Sequence, residues 1–197
     1  MTSPLVLNPA ELIDRYLERS RLDLYYELLM EQNRLVNLVS RETSREGFDR
    51  MVAESLLPLD ALNRSFDSYL DIGSGGGLPS IPLLLAGVGS RTSVLVERTG
   101  KKARALGQIV EKLGLPSVVE SRNFAEISPT KRYALITLRY VKLDRSLLAK
   151  IMAGLGSKGR FVYYSTPEFR TDGWPSRTVR FESGQDQAVK SFTIFHK

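Results

Sequence analysis

Apolar positions recur with helical spacing through the first third of the chain, after which the period changes. Asn8, Pro9 and Glu11 precede Leu12, Ile13, Tyr16 and Leu17, the pattern of a capped helix with proline at its first position. Tyr25, Tyr26, Leu28, Leu29 and Leu35 keep the 3.6-residue spacing and predict a second helix over residues 22–38; a third is expected from about 44 to 62. Beyond Arg64, short apolar runs alternate with helical ones. Strands are predicted at 68–72, 92–96, 117–120, 133–138 and 159–164, with helices opening near Pro79 and running over 101–113 and 143–155. Such alternation implies βαβ units around a parallel sheet. Residues 177–181 and 191–195 are expected to add an antiparallel end, and the Gly/Ser/Pro-rich stretch 165–176 to be the longest loop. The chain is expected to divide into a helical N-terminal cap, residues 1–66, and an α/β domain, residues 67–197, forming one compact unit.

Composition narrows the chemistry. With 197 residues, 42% hydrophobic and 25% charged, the chain is of ordinary globular type and single-domain size. It contains no cysteine, and its one histidine, His196, is the penultimate residue. Thiolate metal sites, cysteine nucleophiles, Ser-His-Asp triads and HExxH chemistry therefore lack their parts, and no metal is expected. The longest nearly apolar run, from Ile81 to Val88, is far short of the roughly 20 residues that span a bilayer, and no signal-peptide pattern precedes Glu11. The expectation is a cytoplasmic protein without a membrane partner. Its net charge of +6 is uneven: residues 1–66 carry 8 Lys/Arg against 11 Asp/Glu, and residues 67–197 carry 20 against 11. The positive field over the C-terminal two-thirds concentrates phosphate-bearing partners, although charge of this kind equally serves solubility.

The segment Tyr69-Leu-Asp71-Ile-Gly73-Ser74-Gly75-Gly-Gly77-Leu78-Pro79 places alternating glycines between a strand and a helix. Glycine lets backbone approach a ligand closely, and the helix that follows is expected to offer free N–H groups at its positive end. Glu97 ends the next strand, twenty residues past Gly77, where a doubly wound sheet sets an acid against a ribose diol. Loop and acid together make a nucleoside-binding arrangement. The dinucleotide fingerprint GxGxxG fits poorly, because the third glycine position falls on Leu78 or Ser80.

Asp71-x-Gly73-x-Gly75-x-Gly77 resembles motif I of class I S-adenosylmethionine methyltransferases. The longer pieces, Asn33-Arg-Leu-Val-Asn37-Leu-Val-Ser40, Asp71 through Pro79 and Pro82, Glu97-Arg-Thr-Gly100-Lys101-Lys102 and Arg139, resemble in order and spacing the RsmG/GidB family of small-subunit ribosomal RNA methyltransferases. The resemblance implies a Rossmann-like α/β class I methyltransferase fold with a mostly parallel sheet and a helical N-terminal cap. It also implies S-adenosylmethionine as cofactor, ribosomal RNA or the small-subunit particle as partner, and guanine N7 as the methylated atom. The cofactor site it implies comprises Asp71, Gly73, Ser74, Gly75, Gly77, Leu78, Arg98, the Phe124-Ala125 region and Arg139, to which Glu97 is added by the ribose argument. Four segments depart from the family pattern, one of them being Arg122-Asn-Phe-Ala-Glu126 in place of Arg-x-Glu. Met51-Val-Ala-Glu54-Ser55 replaces an HxxDS-like segment, Leu138-Arg139-Tyr140 replaces Ser-Arg-Ala, and Tyr163-Tyr164-Ser165 replaces Leu-Lys-Gly.

Guanine N7 carries a free lone pair, so its methylation requires no general base, which suits a chain without an internal histidine. Arg139 is the expected catalytic residue, gripping the guanine carbonyl, a phosphate or the cofactor carboxylate. Arg98, Lys101, Lys102 and Arg104 form the expected RNA-binding cluster, on a helix pointing away from the glycine loop; a solvated helix face is the plain alternative. Arg122, Lys131, Arg132, Arg139 and Lys142 are expected to extend this surface along the carboxyl edge of the sheet. Tyr163 and Tyr164 are either stacking residues or core, and Asn33 and Asn37 are placed one helical turn apart. A monomer is expected. A small-molecule methyltransferase of the same fold and a non-catalytic RNA- or nucleotide-binding descendant are the alternatives.

Overall fold

The computed structural model describes residues 3–126, 131–165, 169, 171, 173–183 and 188–197. Its elements run β1 (Leu5–Val6), α1 (Pro9–Tyr16), α2 (Arg19–Asn33), α3 (Arg45–Leu62), β2 (Ser68–Ile72), α4 (Ser80–Leu85), β3 (Thr92–Val96), α5 (Gly100–Lys112) and β4 (Val118–Glu120). They continue through a single 3₁₀ turn (Phe124–Glu126), β5 (Tyr133–Arg139), α6 (Arg145–Ala153), β6 (Leu155–Ser165), β7 (Ser176–Ser183) and β8 (Ala188–His196). The strands form one sheet in the order β1-β7-β8-β6-β5-β2-β3-β4. Only β8 runs antiparallel to its neighbours, β6 and β7. The expected parallel sheet with an antiparallel end is therefore present, in a mostly parallel Rossmann-like arrangement. Among the described residues no helix is long and apolar enough to cross a membrane.

Alternation along the strands sends successive side chains into two cores. Tyr69, Leu95, Leu135 and Val162 face a core filled by α1 through α5, whereas Leu70, Ile72, Val94, Val96 and Ile136 face one closed by Leu148, Ile151 and Met152 of α6. Local signals set the helix starts: the side chains of Asn8, Ser44 and Asp144 accept from Glu11 N, Gly47 N and Leu147 N, capping α1, α3 and α6.

Several boundaries differ from the sequence expectation. The second helix stops at Asn33, short of residue 38, because Asn33 Oδ1 accepts the N–H groups of Leu38 and Val39 at 2.8 and 3.0 Å and turns the chain. Asn33 and Asn37 consequently do not share a helix face. The strand at 159–164 begins four residues earlier, at Leu155, across an irregularity in its pairing with β5. β1 has no counterpart in the sequence reading; it pairs in parallel with β7, Leu5 beside Phe181 and Val6 beside Glu182. Much of the loop expected over 165–176 lies outside the described residues.

Candidate functional site

A cavity of about 680 Å³ opens at the carboxyl ends of β2, β3, β4 and β5, the edge where open α/β sheets hold ligands. Its volume lies within the range of small-molecule sites. From the expected cofactor set, Gly73, Gly75, Glu97, Arg98, Phe124, Ala125 and Arg139 line it, whereas Asp71, Ser74, Gly77 and Leu78 do not.

The residues that do not line it support the loop from behind. Asp71 is fully buried; Thr137 Oγ1 donates to its Oδ1 at 2.5 Å, and Tyr69 and Thr137 share a hydrogen bond of 2.7 Å beneath it. Burial, partly offset by the bond from Thr137, pushes the Asp71 carboxyl above the usual carboxylate range. A Cβ at Gly77, where φ is +94°, would overlap Ile81 and press on Leu106 and on Tyr25 Oη; this glycine admits packing, not a ligand. Tyr25 Oη donates to the Gly76 carbonyl at 2.9 Å, fastening α2 to the loop. At Gly73, where φ is +75°, a Cβ would meet Val141 at 2.7 Å, so the loop lies directly against the segment after β5.

Four backbone donors of the loop are spent internally. Gly73 N and Ser74 N both bond Val96 O, Gly77 N bonds Ser74 O, and Gly75 N donates to Glu97 Oε2 at 3.0 Å. The following helix, α4, has only six residues and is preceded by Pro79, which has no N–H. The expected anion site at its start is absent for that reason. A loop of this kind brings backbone close to a ligand without cradling a pyrophosphate, which disfavours a dinucleotide. Glu97 is buried and takes a second bond from Thr99 N at 2.8 Å on Oε1. A carboxylate has about four acceptor positions, so two remain for hydroxyl groups.

At the opposite end, Arg139 is buried. Its Nη1 donates to Ser55 Oγ at 2.9 Å and to Met51 O at 3.3 Å, and its Nη2 pairs with Glu54 Oε2 at 3.0 Å. Glu54 Oε1 in turn accepts Lys190 Nζ at 2.6 Å and Ser183 Oγ. The segment that departs from the family pattern is thus the one that holds the arginine, and three of the arginine's five donors are committed there. Sequence reading missed Glu54, Ser55, Lys190 and Ser183 as parts of this site; an acid within the apolar stretch from Met51 to Leu59 was the available signal. Tyr163 and Tyr164 are core residues, their hydroxyls donating to Val141 O at 3.2 Å and Ser55 O at 2.9 Å. Burial holds both phenols above their usual range.

The basic residues do not act as one group. Arg98 and Lys102 line the cavity together with Arg122 and Lys142, so the helix start does not point away from the glycine loop. Lys101 and Arg104 are exposed outside it. No ion pair joins Arg98, Lys101, Lys102 or Arg104 to an acid among the described residues, whereas Arg122 lies 3.3 Å from Glu120. Lys131 and Arg132 precede β5 and stand at the amino edge of the sheet, opposite the cavity, because the strand runs away from them. They cannot extend the same surface.

Comparison with known proteins agrees with this geometry. The sequence profile of the GidB family, described as rRNA small subunit methyltransferase G, matches residues 18–193. Ribosomal RNA small subunit methyltransferase G of Brachyspira hyodysenteriae is 36% identical over 142 residues, 72% of this chain and 67% of that protein. The Helicobacter bizzozeronii protein of the same name is 33% identical over 156 residues, 78% of this chain and 86% of that one. Among solved structures, a mutant of MtNAS in complex with S-adenosylmethionine superposes with a TM-score of 0.60 at 19% identity, covering 90% of this chain and 75% of that one. A Pyrococcus abyssi tRNA methyltransferase in complex with S-adenosyl-L-homocysteine gives 0.54 at 15% identity, covering 73% and 38%.

Proposed function

The chain belongs to the GidB family of small-subunit ribosomal RNA methyltransferases, and on that footing we propose that it transfers a methyl group from S-adenosylmethionine to N7 of a guanine in small-subunit ribosomal RNA. The observation that carries this reading is the cavity at the carboxyl edge, with a buried carboxylate at one side, a close backbone loop beneath and five cationic residues around it.

The residues present fit the cofactor. Glu97 has two acceptor positions for a ribose diol, Phe124 and Ala125 supply an apolar wall beyond it, and Gly73 and Gly75 leave room where a side chain would intrude. S-adenosylmethionine has no pyrophosphate, in keeping with the amides of Gly73, Ser74, Gly75 and Gly77 being already bonded. When bound, it supplies an electrophilic methyl on a sulfonium centre. The protein's task is then to hold the guanine in line with that methyl, the proximity effect that reaches about 7–11 kcal/mol in favourable cases. No proton needs to leave N7 beforehand, and no side chain of the cavity is required as a base. We assign Arg139 the role of a positioning residue that fixes the end of β5 and keeps two donors for the substrate. Arg98, Lys102, Arg122 and Lys142 meet phosphate at the mouth, and Lys101 and Arg104 continue that field on the outer face of α5. We divide the chain at residue 66 into a helical cap and the methyltransferase unit. We also propose that it acts as a monomer.

The test is methyl transfer from labelled S-adenosylmethionine to free small-subunit RNA and to assembled particles, both taken from a strain lacking the corresponding gene. Nucleoside mass analysis is expected to find 7-methylguanosine. Label in neither substrate would defeat the reading.

A further inference from the structure

We propose that Tyr140 is the platform on which the target purine stacks during methyl transfer, a role that rests on the function proposed above and specifies how the substrate base is held. Tyr140 directly follows β5, lines the cavity and is 62% exposed. Its φ is +53°. Bulky side chains seldom adopt this left-handed conformation, and it persists where neighbouring contacts impose it. Two such contacts are present. Tyr140 N donates to Tyr164 O at 3.3 Å, and the Arg139 guanidinium carbon lies over the Tyr140 ring, 5.1 Å from its centre.

The ring is therefore presented rather than merely left outside. One side is backed by a guanidinium that is itself pinned by Glu54, Ser55 and Met51, while much of the remaining ring surface is open. A fixed aromatic face with an open side is what a displaced base requires for stacking. Other aromatic residues nearby do not offer this. Tyr163 and Tyr164 are buried with bonded hydroxyls, and Phe124 is buried.

Sheet order supplies the second argument. Across the cavity the strands run β5, β2, β3, β4. With the ribose against Glu97 at the end of β3 and the base of the cofactor near Phe124 beyond β4, the remaining space lies over β2 and β5. Gly73 and Tyr140 stand there, brought together by the packing of Val141 against the glycine loop. The acceptor base and the methyl donor meet at that end. Lys142, two residues further on, is placed for a phosphate beside the displaced nucleotide.

The experiment compares wild type with Tyr140→Phe, Tyr140→Asn and Tyr140→Ala. Asparagine tolerates a positive φ and removes the ring, which separates the platform from the turn that carries it. Steady-state methylation of small-subunit RNA is measured beside S-adenosylmethionine affinity by calorimetry. Loss of base–aromatic stacking is expected to lower kcat/KM for RNA by roughly 5- to 150-fold in the Asn and Ala variants. The Phe variant is expected to retain activity, and cofactor affinity to stay within about twofold throughout. Wild-type kcat/KM in the Asn variant overturns the platform while leaving the methyltransferase reading intact, and an equal loss of cofactor affinity places the ring on the cofactor instead. Absence of RNA methylation by the wild-type chain defeats the underlying function and the platform with it.

Discussion

At one end of the cavity Glu97 is held by Gly75 and Thr99, partners twenty-two and two residues away; at the other, Arg139 is held by Ser55 and Glu54, eighty-four and eighty-five residues away. The first end is a loop and the strand beside it, closed by backbone N–H groups. The second is a buried charge network joining α3, β5 and the β7–β8 pair. A carboxylate fixed by nearby amides needs little besides the correct turn. An arginine buried against a glutamate that also holds Lys190 depends on the whole sheet being assembled, and each charge there is costly once its partner is lost.

If this contrast is correct, mutation should act on stability at the β5 end and on ligand affinity at the β3 end. The largest effect is expected for Glu54→Ala, which strands the buried Arg139 and the partly buried Lys190; the cost should be about 3–5 kcal/mol. Urea denaturation measures it. A loss under about 1 kcal/mol would mean that water solvates Arg139 or a rearranged acid pairs with it.

Glu97→Ala tests the other end. Cofactor affinity is expected to fall by about 1.5–3 kcal/mol, the worth of hydrogen bonds to a charged group, and a cofactor analogue lacking the ribose hydroxyls should bind both proteins alike. Calorimetry with the two ligands gives the comparison. Discrimination between wild type and variant by the analogue would remove Glu97 from the ribose.

Smaller changes should separate the cations at the cavity from those outside it. Reversal of Lys101 and Arg104 to glutamate is expected to reduce the slope of log K against log salt for RNA by roughly 0.7–0.9 per lost contact, with cofactor affinity unchanged. Reversal of Arg98 and Lys102 is expected to alter both, since these residues line the cavity. An unaltered slope in the first variant would return Lys101 and Arg104 to an ordinary solvated face.

The smallest effect concerns Asp71. Its carboxyl is raised above the ordinary value of 3.8 by burial, so folding takes up a proton between that pH and the raised value. The contribution of that proton to stability is complete below pH 3.8 and declines as pH rises through the folded value. The stability of wild type relative to Asp71→Asn should therefore fall with rising pH across this window, measured by denaturation at successive pH values. Parallel pH profiles for the two proteins would show that Asp71 ionises as freely in the folded chain as in the unfolded one.

Residues close in the chain were read well. Alternation of short apolar runs with helical ones located β2 and β3 to the residue, and Asn8 marked the start of α1 through a bond spanning three residues. Gly75 and Glu97 were legible together because a β-loop-α-β order brings adjacent parallel strand ends side by side. The error within this region was also local: α4 is short and led by proline, and the loop amides bond Val96 and Glu97 before any ligand could use them.

Charge and aromatic residues, in contrast, do not carry their neighbours with them along the chain. Lys131 and Lys142 look alike as exposed cations, yet strand direction sends the first to the amino edge and leaves the second at the cavity. Tyr140 and Tyr164 are both aromatic residues at strand ends; one is turned outward by a positive φ and the other closes on Ser55 O. Periodicity and turn chemistry report which elements form, because they reflect the backbone within a few residues. Which buried glutamate neutralises Arg139, and which tyrosine faces the cavity, depends on strand order and on contacts across eighty or more residues, and so is settled when the sheet closes.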